Sequence, residues 1–143
     1  GSKLLKAINR EPDESPGTTS WTTIRTSTDE VVQPQTGAAP TSSLIGATNI
    51  LIQSVCPGRS VSHVGSAVDS VSFAAAKDAM LNPGPAKVSR LPANICSTLY
   101  APGISWARVS SPLSGLVPDP QTTAPLVAAE PAVQSYALKT VPK

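Results

Sequence analysis

The apolar positions of this chain fall into short groups with few long periodic runs. Residues 3–10, KLLKAINR, place Leu4, Leu5 and Ile8 on one helical face with Lys3, Lys6 and Arg10 elsewhere, and Pro12 stops the segment. So short a helix needs a docked apolar face to persist in water. Trp21–Thr28, WTTIRTST, alternates and is rich in β-branched residues, which predicts a strand, with Val31-Val32 as the start of another. Residues 33–43 have no period and read as a loop. The most apolar run, Leu44–Val55, predicts a buried strand over Asn49–Val55, closed by a turn at Cys56-Pro57-Gly58 with the residue order a type II turn prefers.

The clearest helical pattern is central. Val61, Val64, Val68 and Val71 recur at intervals of three and four. The segment about 72–81 is rich in helix formers, with Ser70 or Ser72 as N-cap, Asn82 as C-terminal cap and Pro83 as terminator. Phe73, Ala76 and Met80 are expected to form its buried face. Further on, Asn94–Tyr100 and Ile104–Val109 flank Ala101-Pro102-Gly103 and predict two antiparallel strands around a Pro-Gly turn. Beyond 111, recurrent prolines exclude a central strand and predict an extended arm, with Ala132–Val141 as a last edge strand. The fold class expected is α+β, mostly irregular with short β-strands, one central helix (about 72–81), a short N-terminal helix and a long extended Pro-rich C-terminal arm. Residues 1–12 form an N-terminal arm or short helix, 13–110 a small mixed domain, and 111–143 the arm.

Composition changes this picture in one respect. With 15 prolines, only five aromatic residues and a net charge of +2 in 143 residues, the core is expected to be thin. The core or interface anchors expected are Leu4, Leu5, Ile8, Trp21, Phe73, Met80 and Trp106, and burial is expected for Ile50, Ile52 and Leu99 as well. Order is then expected to come partly from neighbouring subunits. The absence of basic clusters argues against direct nucleic-acid binding, and no apolar run is long enough to span a membrane. No signal-peptide pattern opens the sequence, and Gly1-Ser2 reads equally as a tag remnant or a processed terminus.

The candidate chemistry is sparse. His63, the one histidine, lies among Ser60, Ser62, Ser66 and Asp69. No G-x-S-x-G elbow occurs and Asp69 is poorly spaced to orient the ring, so His63 reads as a surface or locally hydrogen-bonded side chain, with no catalytic residue assigned. The acidic pairs Asp13/Glu14 and Asp29/Glu30 read as solvated turn caps. Cys56 and Cys96 either form a disulfide or are two separately buried thiols; with no C-x-x-C and one histidine, no metal is expected, and no cofactor. Asn82-Pro83-Gly84-Pro85, with Asp78, resembles the end of ribosome-skipping 2A peptides, but Met80 stands where that motif has Glu, and the segment reads as a helix stop. These features together point away from an enzyme. They favour a structural or assembly protein, a viral capsid or shell component within a virion or other large assembly. The alternative is a secreted or surface β-rich binding module stapled by one disulfide, hence extracellular.

Overall fold

The computed structural model describes residues 3–8, 15, 17–105, 107 and 129–135. Within them the chain is an α+β arrangement. α1 spans Lys3–Ile8, β1 Thr22–Arg25, β2 Thr48–Leu51, α2 Ile52–Val55 and α3 Ser70–Leu81, with 3-10 turns at Val64–Ala67, Val88–Arg90 and Ile95–Ser97. β1 and β2 pair in parallel, in the register Thr22↔Thr48, Thr23↔Asn49, Ile24↔Ile50 and Arg25↔Leu51. Parallel strands need a crossover, and residues 26–47 provide one without a helix or a further strand. Val31-Val32 are therefore not a strand: their amides are turned onto the Asp29 carboxylate.

The strand expected over Asn49–Val55 stops at Leu51. There the chain enters α2, a single helical turn closed by Cys56 N–H donating to Ile52 C=O at 2.8 Å. The turn sets Ile52 and Cys56 four residues apart on one face, where both are buried with Val61 and Val71. A second cluster joins Ile50, Ala75 and Ala86, and the half-buried Ile24, Val55 and Leu91 pack against both.

α3 is capped one residue before Ser70, the earlier of the two expected caps. Asp69 is the N-cap, its side chain accepting from the N–H groups of Val71 and Ser72. Asn82 closes the helix through its N–H to Asp78 C=O, and Pro83 follows. The buried stripe is Val71, Ala75 and Asp78, not the expected Phe73/Ala76/Met80 face. Phe73 is 42 % exposed, Met80 78 % exposed, and Ala76 is exposed as well. Asp78 on this stripe is held by the segment that follows the helix: it accepts from Lys87 N–H and from the Arg90 guanidinium, and Asn82 Nδ2 donates to it.

The antiparallel pair expected around residues 94–109 is not formed over the described part. Residues 95–97 are a 3-10 turn, and 98–101 instead lie against the start of α3, with Ala101 N–H on Val68 C=O and Ser70 N–H on Leu99 C=O. The physical reason is the buried Arg59 guanidinium, which donates to Asp69, to Ser70 Oγ and to the carbonyls of Thr98 and Leu99. The Pro102-Gly103 turn itself is present, with Ile104 N–H on Ala101 C=O and Gly103 at φ 78°.

Of the remaining expected anchors, Leu4, Trp21 and Leu99 are exposed, whereas Ile50 and Ile52 are buried. The side chains of Leu5 and Ile8, and all of Trp106, lie outside the described residues, as does most of the Pro-rich segment. Residues 132–135 carry no strand, and the rest of that expected element is not among the described residues.

Candidate active site: a histidine–aspartate pair

β1 and β2 run side by side in the same direction, so the loops leaving their C-terminal ends lie together. The loop after β1 carries Asp29. The segment after β2 and α2 carries His63. Clefts outside the carboxyl ends of parallel strands are where such sheets place their ligands.

Asp29 is built into an Asx turn: its Oδ1 accepts from Val31 N–H at 2.9 Å and Val32 N–H at 2.8 Å. The ring of His63 lies on the same carboxylate, with Nδ1 2.9 Å from Oδ2 and 3.1 Å from Oδ1. The Asp29 side chain is 10 % exposed and that of His63 41 %. His63 N–H donates to Glu30 Oε2 at 2.9 Å, which ties the backbone of the base to the residue beside the acid.

Burial opposes ionisation of Asp29. The hydrogen bonds from Val32 N–H, the His63 ring and Val31 N–H outweigh it, so the carboxyl is held below the usual carboxylate range. An ionised carboxylate only accepts, so the hydrogen on the shared contact sits on His63 Nδ1. In the neutral ring that leaves Nε2 with a free lone pair. The arrangement is a base oriented by a buried acid.

Asp69, the carboxylate nearest in sequence, does not serve the ring: it pairs with Arg59 Nε at 2.7 Å and caps α3. Ser62 Oγ accepts from Gly65 N–H and Ser66 Oγ donates to Ser62 C=O, so both hydroxyls are used within their own turn. Asp29 is the residue that sequence reasoning passed over as a solvated cap. Its available signal was position: it follows a strand by a short loop, as His63 follows the next one, and it precedes His63 in the chain.

Cys56 and Cys96 are joined by a disulfide that links the turn after α2 to the 3-10 turn at Ile95–Ser97. Among the described residues, no three His, Cys, Asp or Glu side chains are grouped to hold a metal ion. A groove of about 420 Å³ lies elsewhere, beside α3, lined by Phe73, Lys77, Leu81, Leu91, Ile95 and Tyr100; neither His63 nor Asp29 borders it. No described helix is long and apolar enough to cross a membrane.

No protein-family model matches the chain, and no curated protein matches it. Among solved structures it is similar to the crystal structure of Aspergillus fumigatus lipase B, with a TM-score of 0.76 and 23 % sequence identity over 96 % of this chain. The likeness is one of fold, and the chain spans 36 % of the length of that lipase chain.

Proposed function

We propose that this chain carries the acid–base part of a serine-hydrolase active site, with His63 as general base and Asp29 as its orienting carboxylate. The observation that carries the reading is the His63 Nδ1–Asp29 contact of 2.9 Å at the C-terminal ends of two neighbouring parallel strands. Chain order supports it: in α/β-hydrolases the triad runs Ser, then Asp or Glu, then His. The likeness to part of a lipase supports it as well, and points to a carboxylic ester as substrate.

The nucleophilic serine is then supplied by polypeptide outside this chain, in whose 143 residues no G-x-S-x-G occurs. Nε2 of His63 accepts the serine proton as the hydroxyl attacks the ester carbonyl, and returns it to the departing alkoxide. Asp29 stays ionised, fixes the tautomer and stabilises the imidazolium. The test is hydrolysis of p-nitrophenyl butyrate by the polypeptide that joins this chain to its nucleophile-bearing part. Asp29→Asn is expected to lower kcat by roughly 10⁴-fold, and His63→Ala by roughly 10⁶-fold. Unchanged turnover in either variant overturns the reading.

The exposed Phe73, Met80 and Leu81 favour a neighbouring polypeptide surface, which both this reading and that of a shell component need. The shell reading otherwise rests on composition. The disulfide favours an oxidising compartment, and so an extracellular hydrolase or binding module.

A further inference from the structure

We propose that Gln53 is a positioning residue of the His63–Asp29 pair, its side-chain amide setting the distance between the loop that carries the acid and the segment that carries the base. The inference rests on the acid–base reading above.

No β-ladder joins Thr26–Asp29 to Arg59–His63; polar side chains make the connection. Gln53 stands in the first turn of α2, over the point where β1 ends. Its Oε1 accepts from Ser27 N–H at 2.8 Å, and its Nε2 donates to Thr26 Oγ1 at 2.9 Å and to Arg59 C=O at 2.8 Å. One acceptor and two donors are thus all engaged, two with the acid loop and one with the base segment. Two threonines complete the strut. Thr26 Oγ1 and Thr28 Oγ1 lie 3.0 and 2.9 Å from Val61 C=O, and Val61 N–H donates to Thr28 Oγ1 at 2.9 Å. Thr26 is 1 % exposed, so its hydroxyl has no water to fall back on.

Thr28 precedes Asp29, and Val61 stands two residues before His63. The strut therefore grips both loops next to the groups that must meet. The hydrogen bonds of the Gln53 side chain go to neither His63 nor Asp29, so its role is geometric. The amide is also chemically specific. Glutamate has the same shape, but it places an acceptor oxygen against Arg59 C=O where an N–H is needed.

His63 is the only histidine, so ¹⁵N-histidine labelling of the 143-residue chain reports one imidazole. The measurement is the tautomer of the neutral ring, read from the ¹⁵N shifts at alkaline pH. The wild-type ring is expected in the Nδ1–H form. Asp29→Asn is expected to move it toward the Nε2–H form that free histidine favours. Gln53→Ala and Gln53→Glu are expected to move it the same way, so that Nδ1–H is no longer the major form. Asn82→Ala, which removes two side-chain bonds to Asp78 at the far end of α3, is expected to leave the tautomer as in wild type, separating positioning from general loosening. If Asp29→Asn leaves the tautomer unchanged, the acid–base reading falls and this inference with it. If Asp29→Asn shifts it while both Gln53 variants keep the wild-type form, the reading stands and the role of Gln53 is overturned. Where Gln53→Ala loses its folded amide spectrum, the isosteric Gln53→Glu decides by the same criterion.

Discussion

The buried carboxyls of Asp29 and Asp78 are both held below the usual carboxylate range, and both make stability depend on acid. Asp29 is depressed by its hydrogen bonds against the opposing effect of burial. Asp78 is depressed first by its bond from Arg90, with burial opposing and Lys87 N–H assisting. A carboxyl depressed by folding binds its proton more readily in the unfolded chain. Its contribution is therefore complete above an ordinary value of about 3.9 and is lost as pH falls through the lower folded value. Through these two groups the melting temperature is expected to fall as pH drops below about 5. In Asp78→Asn the fall is shallower. Parallel curves for the two proteins, followed by circular dichroism, contradict this. Neither acid announces itself in the sequence. Asp29 looks like half of a solvated pair, and Asp78 like a surface residue in an Ala-rich helix, because the partners that bury them, His63 and Arg90, are brought in by the fold.

At the scale of elements, α3 was legible as a helix and its orientation was not. Its start, its end at Asn82 and its terminator Pro83 follow from local chemistry, with Asp69 displacing the serines as cap because its two oxygens serve the helix and Arg59 together. Which face is buried depends on what stands opposite. Small residues all round give α3 no strong apolar stripe, and Asp78, buried on the same stripe as Val71 and Ala75, is anchored to Arg90. Ala75→Asp is accordingly expected to cost about 3 kcal/mol or more, as an unpaired buried charge. Ala76→Asp is expected to fall within about 0.5 kcal/mol of wild type. Urea unfolding of the two variants checks the pair, and equal effects reject the orientation. The Arg59–Asp69 pair is buried on both sides, at 6 % and 3 % exposure. Removing the acid with Asp69→Ala is expected to cost roughly 3–5 kcal/mol. Asp69→Ser keeps a capping oxygen and is expected to recover about 1 kcal/mol of that. A full recovery places the whole effect in the cap and rejects the ion pair.

For the whole molecule, the thin core makes the Cys56–Cys96 link weighty. It spans a sequence separation of 40, for which chain entropy gives about 4 kcal/mol. Reduction, or Cys56→Ser with Cys96→Ser, is expected to lower the melting temperature sharply, and an unchanged transition excludes the link as a main stabiliser. What the sequence by itself determined was local: two helices, strands near 22–25 and 48–51, the Pro-Gly turns and an aromatic-poor interior. Caps, turns and β-branched runs act over a few residues, so their signals survive without a fold. Tertiary structure alone decided that the two strands run parallel, that 98–101 lies on α3, that the cysteines meet, and that His63 takes Asp29 and not Asp69. Each depends on residues far apart in the chain. Parallel pairing is what brings the loops after β1 and β2 to one edge, and no local pattern around His63 records the acid waiting there.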